Sequence, residues 1–252
     1  MAMPSSQNSP YLPASTPRSA DVVLYLDLDG VVHHEKVLWH PRKGIYMSPY
    51  EAAGHSLFEW VPILEAVLEP YPAVALVLSS TWCIRPGYSA TLKRLPVSLR
   101  ARFIGGTYHK RVHGVDPWNL SMFRTTPRGV QIQEDAQRRK PRHWIALDDD
   151  LEGWPDSCQQ NLVACEGATG LSNPEVQHEL RNKLGYCFAA LDTKSVDFHV
   201  NLTQHFHRIL VCARRTHVDR CRRPWLKIRW RRASSDAVAV PRSDWPCAWA
   251  AV

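Results

Sequence analysis

Five short apolar runs recur along the chain: "DVVLYLD" (21–27), "AVALVLSS" (73–80), "RFIG" (102–105), "HWIALDD" (143–149) and "NLVACE" (161–166). Their apolar residues are continuous rather than alternating, which predicts strands covered on both faces. Between the first two, "SLFEWVPILEAVLEP" (56–70) repeats apolar residues at helical spacing, with Leu57, Trp60, Val61, Leu64, Val67 and Leu68 on one face. Pro62 requires that this helix either start or kink there. "SNPEVQHELRNKLG" (172–185) predicts another helix, with a polar cap, Pro174 in the first turn, a stripe of Val176, Leu180 and Leu184, and Gly185 as its stop. Strands alternating with helices predict a central parallel sheet with helices on both faces. No internal repeat is found.

In such sheets ligands bind outside the carboxyl ends of the strands, so the polar residues that terminate the runs matter most. Asp27 and Asp29 follow the first run, Ser79 and Ser80 the second, and Asp148, Asp149 and Asp150 the fourth. All are expected on one edge of one sheet. Close carboxylates repel by about 4 kcal/mol per pair at about 4 Å and an effective dielectric near ~20. A hard divalent cation relieves this, and an all-oxygen donor set suits Mg²⁺. A carboxylate beside Mg²⁺ can also attack phosphorus, giving an aspartyl-phosphate. A second carboxylate two residues on, expected on the same face, can then protonate the leaving oxygen and activate water. Serine hydroxyls and backbone N–H groups would hold the phosphoryl oxygens, with a cation balancing the transition state.

Composition narrows the class. The 252 residues are 44% hydrophobic, as suits a globular core. No window holds the ~18 apolar residues of a membrane span. Residues 1–20 have neither a basic start nor an apolar centre; their four prolines among serines predict a disordered leader rather than a secretory signal. Seven scattered cysteines, with no CxxC pair, fit reduced thiols and a cytoplasmic setting better than a disulfide frame or a zinc site. The net charge of +7 resides in the tail: residues 189–252 carry 12 Lys+Arg against 5 Asp+Glu, and residues 1–188 are balanced. That tail mixes Arg, Cys and Trp without a helical or strand period. It is expected to be a poorly ordered extension; the competing reading is a basic arm that contacts nucleic acid through phosphates and bases.

"DLDGVV", "LVLSSTW" and "WIALDDD", in that order, resemble motifs I, II and IV of the haloacid dehalogenase (HAD) superfamily. The likeness is closest to the small HAD domains of the "Swiss Army Knife" RNA-repair group, which carry a similar serine-tryptophan motif and a segment like "ATGL" (168–171). It covers roughly residues 21–188. The resemblance implies a Rossmannoid sheet with the first strand central, Mg²⁺ as cofactor, and hydrolysis of a phosphate ester on a small molecule or a nucleic-acid end. It implies Asp27 as nucleophile and metal ligand, and Asp29 as acid/base with its backbone carbonyl on the metal. Ser80 or Ser79 would bind phosphate, and Asp148 and Asp149 would complete the metal site. For the motif III cation, Arg128 at the head of "RGVQIQEDAQ" is preferred to Lys110, Lys140 and Arg142. Arginine where many members have lysine keeps the charge but changes the hydrogen-bond geometry.

A phosphoacceptor receiver domain is disfavoured, because no aspartate ends the second or third run. The competing function is a weakly catalytic or non-catalytic module that binds nucleic acid through the tail. His33 and His34 are expected to be loop residues rather than pocket lining. Trp82 is expected to pack beside the sheet edge at least as much as to stack on a base. Asp150 is expected to be an exposed neighbour. Residues 31–55 are long enough for a flap or small cap, not a cap domain.

Overall fold

A computed structural model describes residues 18–192. Five parallel strands form the sheet: β1 (Val22–Leu26), β4 (Ala75–Leu78), β5 (Phe103–Gly106), β6 (His143–Asp148) and β7 (Leu162–Ala164), in the order β5-β4-β1-β6-β7. β1 is central and every one of its residues is buried. β2 (Val37–His40) and β3 (Gly44–Met47) make a separate antiparallel hairpin, so the 31–55 segment is a flap.

The pleat of β1 sorts its side chains between two cores. Val22, Leu24 and Leu26 join Leu64, Val67 and Leu68 of α1 (Val61–Leu68), and Val176, Leu180 and Leu184 of the long helix at 174–192. Val23 and Tyr25 face the other way, onto Ile132 and Ala136 of the helix Arg128–Arg139. Between the strands lie the short helices α2 (Tyr88–Leu92) and α3 (Val97–Arg100), then α4 (Lys110–His113) and α5 (Pro117–Thr125). In chain order the helix Arg128–Arg139 is α6, and 174–192 is α7. The architecture is the expected three-layer α/β/α arrangement.

Pro62 sits in the first turn of α1, where its missing N–H costs nothing, so the helix starts there and does not kink. Gly185 does not stop α7. The helix continues through it because the following turn packs back: Phe188 lies 5.3 Å from the Tyr71 ring, and the Tyr71 hydroxyl approaches the open side of Gly185. The leader and tail readings lie outside the described residues, apart from 18–20 and 189–192. Among the described residues no helix is long and apolar enough to cross a membrane, and Cys83, Cys158, Cys165 and Cys187 are free and buried.

Candidate active site

Register fixes the edge on which the candidate site lies. Leu26 lies opposite Leu78 on one side and Leu147 on the other, and the ladder runs one residue further. Asp27 N donates to Leu147 O (3.1 Å), Ser79 N to Leu26 O (2.8 Å) and Thr107 N to Leu78 O (2.9 Å). Asp27, Ser79 and Thr107 therefore lie just past their strands, in one row with Asp148, the last residue of β6, which pairs with Ala164. Alternation along β1 puts Asp27 on the α6 side, while Leu28 turns into the opposite core.

Arg128 opens α6 on that side and is itself buried. Its Nη2 lies 3.6 Å from Asp27 Oδ2 and its Nε 3.5 Å from Asp148 Oδ2. Lys110 is exposed on α4, Lys140 is exposed at the end of α6, and Arg142 pairs with Asp21 at 3.3 Å. Among the described residues, Arg128 is the Lys or Arg within ion-pair distance of the cluster.

Asp27, Asp148 and Asp149 each offer a carboxylate oxygen, and the three oxygens lie within 4.8 Å of one another. Asp149 reaches the others because Gly30 makes room. Gly30 adopts φ +68°, and a Cβ there would stand 2.0 Å from Asp149 Oδ2. Burial raises the Asp27 pKa; Arg128 opposes that rise and the Asp29 charge adds to it. Burial, then Asp27, holds Asp148 well above the carboxylate range. The same two causes push Asp149 up to about 7. Burial works against the Arg128 charge, but Asp27 and Asp148 outweigh it and its pKa rises.

Fully ionised, the three carboxylates would exceed the one guanidinium by two negative charges, the charge a divalent cation carries. Asp148 Oδ2 and Ser79 Oγ are buried without any hydrogen-bond partner, as atoms awaiting a ligand would be. The donor set is all oxygen, so the site fits a hard divalent ion. Arg128 answers part of the charge problem that the sequence posed for a metal alone.

Asp29 is not one of the three converging carboxylates, although its charge still raises the Asp27 and Asp149 pKa values. The strand ends at Leu26, and a turn follows in which Leu28 O accepts from Val31 N and Val32 N. Instead the Trp82 indole N–H donates to both Asp29 oxygens at 3.0 Å, and His33 Nε2 lies 3.0 Å from Oδ1. Ser80 caps the helical turn Thr81–Cys83, accepting from Trp82 N at 3.5 Å, and its hydroxyl also bonds Asp27. Trp82 packs beside the sheet edge as expected. His33 and His34 lie in the loop between β1 and β2, as expected, but both are buried. Asp150 is exposed, but its N–H donates to Asp148 Oδ1 at 3.0 Å.

Thr107 was not singled out from the sequence, although it too directly follows a strand; its Oγ1 is buried and unpartnered beside Ser79 in the row. His33 was dismissed for want of a signal that a turn would fold it back.

The family profile described as "HAD domain in Swiss Army Knife RNA repair proteins" matches residues 23–176, more than half of the chain and all of the sheet but Val22. The chain belongs to this family. In this HAD domain Asp27 lies at the end of the central strand, and Asp148 and Asp149 at the end of its neighbour β6. No curated protein and no solved structure matches the chain.

Proposed function

We propose that this HAD domain is a Mg²⁺-dependent phosphohydrolase acting through Asp27. The observation that carries the reading is the convergence of Asp27, Asp148 and Asp149, the first two beside the Arg128 guanidinium, with unsatisfied oxygens on Asp148 and Ser79. Asp27, Asp148 and Asp149 would hold the ion through side chains, and Asp29 through its backbone carbonyl. When bound, Mg²⁺ would neutralise negative charge on the transferring phosphoryl group.

The chain's own residues account for the rest. A carboxylate oxygen of Asp27 attacks phosphorus, the bond from phosphorus to the ester oxygen breaks, and the departing oxygen takes a proton from Asp29. Water then attacks the aspartyl-phosphate phosphorus and gives its proton to Asp29; inorganic phosphate leaves and the Asp27 carboxylate is regenerated. Ser79 or Ser80 would hold a phosphoryl oxygen. Arg128 would stabilise transition-state charge.

The two-stranded flap leaves the site without a cap domain among the described residues. Together with the RNA-repair description of the family, this favours a phosphorylated nucleic-acid end over a small metabolite. The test is phosphate release from a 3′- or 5′-phosphorylated oligonucleotide and from a generic aryl phosphate, with Mg²⁺ and with chelator. Mg²⁺-dependent release that Asp27→Asn abolishes is the expected result; release unaffected by that substitution would show that Asp27 is not the nucleophile.

The basic tail lies outside the described residues. Polyanion binding by it would appear as an affinity that falls steeply with salt, and the assigned alternative is a domain that binds in this way without turnover.

A further inference from the structure

The surroundings of Asp29 are built with more care than those of an exposed acid. Its side chain keeps 30% of its surface open, whereas those of Asp27 and Asp148 are closed off. It is therefore the member of the pair able to meet a leaving group or a water. Its orientation is set from behind by a triangle of rings. His33 and Phe58 have centroids 5.2 Å apart, His33 and Trp82 5.8 Å, and Phe58 and Trp82 5.5 Å, all edge-on or tilted. Phe58 takes φ +65°, a left-handed conformation that strains a bulky residue, and its ring packs against both others.

The polar edges of the triangle both point at one carboxylate. Trp82 supplies a forked N–H to Oδ1 and Oδ2, and His33 Nε2 meets Oδ1. His33 Nδ1 is buried with no partner. A buried N–H without an acceptor costs more than a bare lone pair, so the ring is held with its proton on Nε2, donating to Asp29.

We infer that Trp82 and His33 are positioning residues, which clamp Asp29 in the orientation that protonates the leaving group and keep its side chain off the metal cluster. This rests on the phosphohydrolase reading. The contact itself can be tested without turnover. Trp82→Phe keeps the ring and removes the donor, so the proton resonance of one indole N–H disappears and identifies Trp82 among the ten tryptophans. In the full-length protein with Mg²⁺, that resonance should lie at low field and move upfield in Asp29→Ala. An unmoved resonance overturns the clamp, whatever the activity.

The positioning role is read from kcat/KM for two esters. With benzyl phosphate, whose leaving group needs a proton, Trp82→Phe should lower kcat/KM roughly tenfold or more, a part of the ~10²–10⁴ that general acid catalysis supplies. With p-nitrophenyl phosphate, whose leaving group departs unprotonated, the loss should stay within about twofold. Loss of packing alone would lower both alike, and equal losses or no loss overturn the proposal. His33→Gln, which keeps a donor near Nε2, should stay close to wild type, while His33→Leu should show the ester-dependent loss; equal behaviour of the two variants overturns the part assigned to His33. A wild-type protein that releases phosphate from neither ester, yet shows the indole shift, overturns the phosphohydrolase reading and the acid role while leaving the contact intact.

Discussion

Helix α6 carries two buried ionic groups on one face, and they are opposites. Near its start Arg128 faces Asp27 and Asp148 at 3.5–3.6 Å, beyond good hydrogen-bond length, with Arg128 Nε and Asp148 Oδ2 unpartnered. Two turns later Asp135, fully buried, accepts from the Tyr25 hydroxyl (3.1 Å) and from both Arg138 and Arg139. Arg139 also reaches Arg18 O and Gly106 O. The second network is closed: every member has a partner, and burial together with the Asp135 charge raises the Tyr25 pKa and keeps its hydroxyl a donor. The first is open. The same two residue types thus serve two ends along one helix, with the satisfied group seating α6 on the sheet and the unsatisfied one leaving oxygens able to ligate a cation.

The largest effect expected from that contrast is on turnover at the open site. Asp27→Asn should lower phosphate release by about a thousandfold or more while the melting temperature holds or rises, since a mutually repelling carboxylate is gone. A variant that loses stability in step with activity would place Asp27 in the structural class. Arg128→Ala should cost about a hundredfold in kcat, with a smaller change in KM, if its charge acts on the transition state. Unaltered kinetics would mean that the site uses another cation.

The closed network should answer in the other currency. Asp135→Ala strands two arginines and a tyrosine hydroxyl, and about 3–5 kcal/mol of stability should disappear; chemical denaturation measures it. The folded fraction should turn over normally. A loss below about 1 kcal/mol would show the pair to be dispensable.

The smallest effect is a pH dependence. Asp149 has its folded pKa raised from 3.8 to about 7, so between these values the folded state holds more proton than the unfolded one. Stability contributed by that proton is present below about pH 4 and is lost as pH rises through about 7. In chelator the melting temperature of the wild type should therefore decline across this window more than that of Asp149→Asn. Mg²⁺ should restore it increasingly towards the upper end. Parallel curves for the two proteins would show that Asp149 does not share the charge burden.

Much of this was legible in the sequence, for identifiable reasons. β1 and β4 stand out because burial on both faces leaves their apolar residues uninterrupted, and the others carry shorter apolar runs of the same kind. The acidic row stands out because polar residues directly follow those runs. The length of 31–55 announced a flap or small cap, but its hairpin "VLWH…GIYM" was not legible, since β2 is mostly exposed, β3 half-exposed, and neither gives a clean alternation. The Asp135 network lay hidden in "EDAQRR", which has the composition of a solvated helix. Its one clue was Tyr25, whose hydroxyl, in an otherwise aliphatic buried strand, had to find an acceptor. The contacts of Asp29 were not legible, because no local pattern marks the indole that donates to it from 53 residues away.

Gly30 extends the point from what is present to what must be missing. The Asp149 carboxylate occupies the volume where the first carbon of any side chain at position 30 would lie. A methyl group there would evict a candidate ligand supplied by a segment more than a hundred residues away, besides straining a backbone at φ +68°. In a saturation screen, position 30 should therefore tolerate replacement as poorly as the aspartates themselves, though it donates no atom to the ion. Its contribution is an emptiness of fixed shape, and the cheapest way to disable the site is to fill it.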